Sequence, residues 1–514
     1  DGAPQLHDDV PNNIAFTWAV AGGDADAAFS DADVTVSDTI THQRLIANAM
    51  EPRAAIAQWV SATGDLTLWS TSQNPHIARF LTSVVTEVPE HKIRVIAPEV
   101  GGGFGSKITG SLIQLVPALF SRKINRPVML RIHRAEESYL GRARPGIQAR
   151  IRIGFRADGR VTALDLFALG DAGPYARGDQ NSAANAASLT YTPLNMRYRG
   201  LGVRTNTPPK AAQRGPGGAQ VIGMLEPLMD KAARDLGVDR LALRRINAPN
   251  ADVEYGPRGA TLTSVFVKEA IDQGRELFGW EERIARSGQL NGTKRTGIGV
   301  GVSPYTAGSR GYDGLLVIRP DGKVQIHQGL GNLGTHSNFD TARAAADVLG
   351  VEWDDVEVVF GDTSRHLPWS AVQAGSQTIH AHTRANHAAG LDAKQKLQEI
   401  AARDLGGRPE DYETSDGRVY RSSNPSQGMT LGRAATRAIE LGGRYSGEEF
   451  DEDLNDMTKA SVTALAGQGL VAAARDNFGG EGGLQSWVVG FAEVELDVET
   501  GAVEIMQYTA MADC

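Results

Sequence analysis

The 59 glycines of this 514-residue chain are bunched rather than spread. Gly101–Gly103 stand with Gly105, Gly215 with Gly217 and Gly218, Gly329 with Gly331 and Gly334, and Gly479–Gly480 with Gly482–Gly483. Each bunch lies between segments with regular apolar patterning, and none has the Ser-rich, unpatterned flanks of a linker. Glycine in such places lets a backbone bend sharply or approach another group closely. The bunches therefore mark loops built around something.

Between the loops, two periodicities take turns. Three stretches read as strand, tight turn, strand: IQARIRIGFRADGRVTALDLFA from Ile147, GLLVIRPDGKVQIHQG from Gly314 and VGFAEVELDVETGAVEIMQY from Val489. Each carries Asp or Thr before Gly at its turn, the signature of a hairpin. Helical patterns follow the first three bunches, in TGSLIQLVPALFSRKI, AQVIGMLEPLMDKAARDLG and SNFDTARAAADVLG, and a fourth runs HAHTRANHAAGLDAKQKLQEIAARDLG. This order predicts an α+β chain with large mixed sheets. The polar stretch ARSGQLNGTKRTG at 285–297 places a boundary, giving one domain over 1–290 and a second over 291–514.

Composition removes several classes. A formal charge of −9 offers no basic field for nucleic acid or an anionic membrane surface. No apolar run reaches the length of a membrane span. The single cysteine, Cys514, excludes a disulfide framework, a zinc knuckle and an iron–sulfur cluster ligated by this chain alone. The opening DGAPQLHDD lacks the features of a signal peptide, so a cytoplasmic location is the expectation. The missing initiator methionine and the strand-like ending AVEIMQYTAMA read as the two cut ends of a fragment.

Three elements could carry chemistry. IRVIAPEVGGGFGSKITGSLIQLVPALF, from Ile93, is strand, glycine loop, helix, the arrangement that presents bare N–H groups to an anion. It fits neither common nucleotide pattern: Ser106 separates Gly105 from Lys107, which breaks the phosphate loop, and the dinucleotide motif needs glycine at 106. A ligand-free turn is an equal reading of this loop alone. Arg214 sits in a glycine bend ahead of a helix; a lone arginine is usually solvated or ion-paired, but this setting favours an anion or oxo group. Gln73, in TSQNPHIARFLTSV, directly precedes a helix start at Pro75, where glutamine is more often a cap or turn residue than a ligand contact. His380 and His382 fall inside a helix and, two apart, face away from each other, which argues against metal ligation. The acidic run GEEFDEDLNDM reads as a solvated loop.

Taken in order, NAMEPRAAIAQW, TSQNPH, EVGGGFGSK, HRAEESYLGRARPG, TNTPPKAAQRGPGGAQ, DLGVDRLALRRIN, GLGNLGTHSNFDTARAAADVLG, AGSQT and FAEVELDVETGAVEI resemble the molybdenum-binding large subunit of the xanthine dehydrogenase, aldehyde oxidase and aerobic carbon monoxide dehydrogenase family. The resemblance implies two large mixed α/β domains holding a molybdopterin cofactor at their interface. The metal would be carried by the pterin dithiolene with no protein ligand, and the pterin extended as the cytosine dinucleotide. It implies that Gln73 faces the molybdenum centre, that Gly102, Gly103, Phe104 and Gly105 form the loop against metal and pterin, and that Arg214 with Gly215 lies on the cofactor's other side. Gly375, Ser376, Gln377 and Thr378 would wrap the pterin phosphate or its dinucleotide tail, and Gln73, Phe104 and Arg214 would act at the reacting centre. The implied reaction is hydroxylation of a C–H bond with water as oxygen source. Electrons would leave to a small iron–sulfur subunit and an FAD subunit, within a dimer of heterotrimers. The family's catalytic glutamate belongs to a Gly-Glu motif expected beyond Cys514; Glu481 precedes the last hairpin and is rejected for that role. Ile108 replaces the glutamate of purine-oxidising members, and no cysteine accompanies Gln213–Pro216 for a copper centre. An aldehyde or an aromatic N-heterocycle remains, the aldehyde preferred because Ile108 is apolar. A cofactor-free scaffold or binding protein of the same family is the alternative.

Overall fold

The computed structural model describes all residues except 1, 109–111, 176–177, 211, 252, 256–259, 263, 309–310, 371, 477–484 and 514. The fold is α+β. It forms two compact units, each assembled from separated stretches: 1–47, 138–307 and 480–514 in the first, 48–137 and 308–479 in the second. These units cut the chain differently from the halves 1–290 and 291–514. The polar stretch near 290 is a tight hairpin inside the first unit, where Leu290–Asn291 pairs with the start of the strand Lys294–Thr306. A short turn like this carries no apolar period, which is why it reads as a linker.

The first unit holds a five-stranded sheet in the order Ile14–Gly22, Met196–Arg204, Val161–Gly173, Ile147–Phe155, Val34–His42. The hairpin expected from Ile147 sits inside it, antiparallel, with Ala168 opposite Ala149. Ile147, Ala149, Ile151 and Ile153 line one face and pack in a single core with Val221, Leu225 and Leu228. That alternating row is what fixes the register, since a one-residue slip would turn it to water. A second, antiparallel sheet runs Leu290–Asn291, Lys294–Thr306, Gln485–Asp497, Val503–Asp513. Its last two strands are the hairpin expected from Val489, and Asp497 closes the turn by accepting the N–H groups of Glu499 and Thr500.

The second unit contains two four-stranded sheets. One is ordered Ile93–Ile96, Asp65–Ser70, Ala54–Val60, Val128–Arg131; the other Val356–Phe360, Val324–Gln328, Asp313–Ile318, Leu470–Arg475. The hairpin expected from Gly314 forms the centre of the latter.

Helices follow the bends in chain order: α1 (Pro75–Thr86), α2 (Leu112–Ile124), α3 (Gly218–Leu236), α4 (Ser337–Leu349) and α5 (Thr378–Leu405). In α1 and α2 the usual polarity is inverted. Mostly small or polar groups face inward: His76, Ala78, Thr82 and Thr86 on α1, and Gln114, Ala118 and Ser121 on α2, where Ile113 is the large apolar exception. Some are satisfied within the helix, as Thr82 donates to the Ala78 carbonyl, and some across to the sheet, as Gln114 donates to the Ser70 hydroxyl. Large apolar side chains face outward instead: Phe80 is 53% exposed, Val84 60%, Phe120 52% and Ile124 53%. Among the described residues, no helix is long and apolar enough to cross a membrane.

Candidate functional site

The site in the second unit is organised around Gln73. Asn74 is the true cap of α1: its Oδ1 accepts the Ile77 N–H at 2.9 Å, and Pro75 opens the helix. Gln73 is thereby free of capping duty and is buried, only 2% exposed. Its Oε1 accepts the N–H groups of Gly105 at 3.0 Å and Lys107 at 3.1 Å, while its Nε2 donates to the Gln373 carbonyl at 2.6 Å. Its main chain donates to the Lys107 carbonyl at 2.9 Å and accepts from the Gln373 N–H at 3.1 Å. These bonds fix the amide's orientation. With both lone-pair directions of Oε1 used, what the side chain can still offer is its second Nε2 hydrogen.

The glycine loop is closed on itself. Gly102 donates to the Val100 carbonyl at 2.8 Å, and Ser106 donates to the Gly103 carbonyl through both its N–H and its hydroxyl. Glu51 reaches both ends: its Oε2 accepts the Gly101 N–H at 2.7 Å and the Lys107 ammonium at 3.1 Å. Two glycines are dictated by this packing. A Cβ at Gly103 would stand 2.5 Å from Gln73 Oε1, and one at Gly101 would stand 2.5 Å from Glu51 Cβ. The N–H groups of Gly102 and Gly105, expected to line a ligand, are thus bonded within the protein, whereas Phe104 bulges outward at φ 54°, 38% exposed. Burial pushes the Lys107 ammonium below the usual lysine value, against the opposing pull of Glu51 and Glu137.

Two later bends join this cluster. Asn332 donates its N–H to the Pro98 carbonyl and accepts from Val100, while its side chain spans from Glu99 to the N–H groups of Gly334 and His336. Gln373 donates its side-chain amide to the Gly331 carbonyl at 2.8 Å. Gly375 and Ser376 then run exposed with φ of 64° and 51° into α5, which starts at Thr378 with no side-chain cap. Gln73 and Gly102–Gly105 therefore lie within one knot of bends, and Gly375, Ser376, Gln377 and Thr378 at its edge.

Arg214 and Gly215 belong to the first unit. Arg214 is exposed, in a bend where it has φ 24°, Gly215 69° and Gly217 72°. Gly217 permits close packing, since a Cβ there would stand 2.3 Å from the Asp179 carbonyl. The bend is gripped by Arg144, which is buried and donates to the carbonyls of Gln213 and Arg214. Gln213 in turn accepts the Arg144 N–H at 3.0 Å and donates to the Ile46 carbonyl. Burial pulls the Arg144 guanidinium below its usual pKa, with Asp179 opposing. α3 begins at Gly218, again without a capping side chain.

Glu51, Gln373 and Arg144 escaped the reading of the sequence. For Glu51 and Arg144 the available signal was a charged residue set among small or apolar neighbours, as in NAMEPR and GRARPG; Gln373 had none. His382 is buried in α5 and stacks on Tyr312, ring centroids 5.4 Å apart. Among the described residues no group of His, Cys, Asp and Glu is arranged to hold a metal. Glu481 lies outside the described residues.

Two models of the molybdopterin cofactor-binding domain match the chain, over residues 6–248 and 273–514. The chain belongs to the molybdenum-binding large-subunit family of aldehyde oxidases and xanthine dehydrogenases. The molybdenum-binding subunit PaoC of the aldehyde oxidoreductase of Escherichia coli O157:H7 is 30% identical over 432 residues, covering 84% of this chain and 56% of that protein. The nicotine 6-hydroxylase large subunit of Paenarthrobacter nicotinovorans is 27% identical over 438 residues, covering 81% and 53%. The chain thus spans about half the length of these family members. The solved structure of quinoline 2-oxidoreductase from Pseudomonas putida 86 superposes with a TM-score of 0.83 at 24% identity, over 100% of this chain and 66% of that one, which speaks for the molybdenum hydroxylase fold.

Proposed function

We propose that this chain is the cofactor-binding portion of a molybdenum hydroxylase that oxidises an aldehyde or an aromatic N-heterocycle, with water as the oxygen source. The observation that carries the reading is the pinned Gln73 amide, a buried side chain held so that only an N–H can be offered to a ligand. An oxo or sulfido group calls for such a fixed donor rather than a carboxylate. When bound, the molybdenum centre would supply water activation and two-electron oxidation.

The chain's own residues supply position and charge. Gln73, Gly102, Gly103, Phe104 and Gly105 would form the wall against metal and pterin, with Gly102 and Gly105 shaping the loop rather than donating to the ligand. Arg214, beside Gly215, would bring a guanidinium to an oxo-anionic group. Gly375, Ser376, Gln377 and Thr378 would hold an anionic tail, a reading supported by the uncapped start of α5 and by open space at Gly375, where a Cβ would meet nothing within 4 Å among the described residues beyond its chain neighbours. That tail is proposed to be the cytosine dinucleotide. The two cofactor-domain matches, over 6–248 and 273–514, support a division into two successive cofactor-binding domains, proposed here as 1–290 and 291–514. Iron–sulfur and FAD subunits are proposed as partners, because Cys514 alone offers no cluster site. Among substrates, the aldehyde is favoured by the apolar Ile108 at the end of the glycine loop and by the relative named for aldehyde oxidation.

Metal analysis of the protein purified with its partners tests this directly. The expected result is about one molybdenum per chain with an extractable pterin. A well-folded, metal-free and pterin-free preparation overturns it.

A further inference from the structure

Lys107 is the most deeply buried cation of the site, and the proposed chemistry makes no use of it. Its side chain is 1% exposed, against 38% for Glu51, its ion-pair partner. The ammonium donates twice to that one residue, to the main-chain carbonyl at 2.8 Å and to Oε2 at 3.1 Å. The main chain of the same lysine faces the other way, giving its N–H to Gln73 Oε1 and taking the Gln73 N–H on its carbonyl. Glu51 meanwhile exchanges main-chain and side-chain bonds with Gly101, at the opposite end of the loop. One carboxylate therefore spans the mouth of the 101–107 loop, and the residue at its far end is the one that orients the Gln73 amide.

We infer that Glu51 and Lys107 are a positioning pair: their ion pair sets the span of the glycine loop and, through the Lys107 main chain, the direction in which Gln73 presents its N–H. Neither residue touches substrate. The inference deepens the proposed function and rests on it for any effect on turnover, but the loop geometry itself does not depend on a cofactor.

The unequal burial of the two partners makes the pair's signature asymmetric. Removing the carboxylate strands a charge away from water, whereas removing the ammonium leaves a carboxylate that water can reach. Glu51→Gln should therefore loosen the loop more than Lys107→Met. The charged groups around the ammonium are Glu51, Glu137 and Arg53. In Glu51→Gln, Glu137 remains but is tied to Arg53 by hydrogen bonds of 2.9 and 3.2 Å. The stranded lysine then loses its proton more readily, and loop protection should recover as pH rises. A merely structural contact would show no such recovery.

The test is hydrogen exchange by mass spectrometry on peptides covering 101–108, with the hairpin Ile147–Gly173 as internal reference. Glu51→Gln should accelerate exchange in the loop roughly tenfold or more and Lys107→Met by a few fold, with the reference unchanged. Lys107→Met leaves no stranded charge and serves if Glu51→Gln fails to fold. In molybdenum-loaded protein both variants should lower kcat with little change in KM. Unchanged loop exchange in both variants, or equal acceleration in the reference hairpin, overturns the inference. Loop-confined acceleration in protein that never binds molybdenum would uphold the positioning pair while defeating the proposed function.

Discussion

The glycine loops at 101–107 and 213–217 meet the same requirement by different means. Each must hold a strained bend still without a regular ladder of hydrogen bonds. The first is held by several polar side chains from afar, Glu51 at both ends and Gln73 in the middle, with Gln373 locking Gln73 in turn. The second is held mainly by Arg144, whose guanidinium grips two consecutive carbonyls from below. The first therefore resembles an arch, in which losing one stone loosens its neighbours, and the second a hook. Both show that a glycine-rich stretch can be among the more rigid parts of a protein, because the missing side chains let other groups come close enough to bond the backbone.

Acid should separate the two units most strongly. The unit that carries the first loop buries three neutral histidines; burial lowers His76 to about 3, and His327 and His382 to about 4. The other unit has only His7 and His42, neither buried. With folded-state values below the unfolded one, the unfolded chain takes up protons first, so stability present above about pH 6.5 is lost as pH falls toward 4. The loss should be on the order of 3 kcal/mol per ring. Limited proteolysis at stepwise lower pH should cut 48–137 and 308–479 before the rest; the reverse order would break the comparison.

Gln73→Ala comes next. It leaves the N–H groups of Gly105 and Lys107 and the Gln373 carbonyl without partners, at a cost of about 3 kcal/mol in urea unfolding, together with a large fall in turnover. Wild-type kinetics would remove Gln73 from the site. Arg144→Met tests the hook: roughly 2 kcal/mol of stability and faster proteolysis near 213–217 are expected, with 101–107 unaffected. The smallest effect belongs to Gly215→Ala. At φ 69°, with nothing nearer than 3.7 Å to a new Cβ, the variant should lose only about 1 kcal/mol by thermal unfolding. Gly103→Ala drives its Cβ into the Gln73 amide, so equal losses for the two alanine variants would undo the distinction between arch and hook.

The sequence made local features legible. The hairpins from Ile147, Gly314 and Val489 and the helices after each bend stand where their periods and turn residues put them, because strand alternation and helix spacing are properties of neighbours. The position of Gln73 just ahead of Pro75 was equally visible. What could not be read is contact at a distance: Glu51 meets Lys107 across 56 residues and Gln73 meets Gln373 across 300. The insertion of 48–137 between two stretches of the other unit leaves no periodic trace either. Arg144 is buried, and the small neighbours in GRARPG hint at that without showing which carbonyls its guanidinium would meet.

The inverted faces of α1 and α2 have a practical consequence at the bench. Phe80, Val84, Phe120 and Ile124 form greasy ground that water wets poorly. Expressed by itself, this polypeptide should bind the dye ANS while fully native, adhere to chromatography resins and self-associate as its concentration rises. A mild amphiphile, or polar replacements at these four sites, should keep it in solution without disturbing the interior, because that interior never used them.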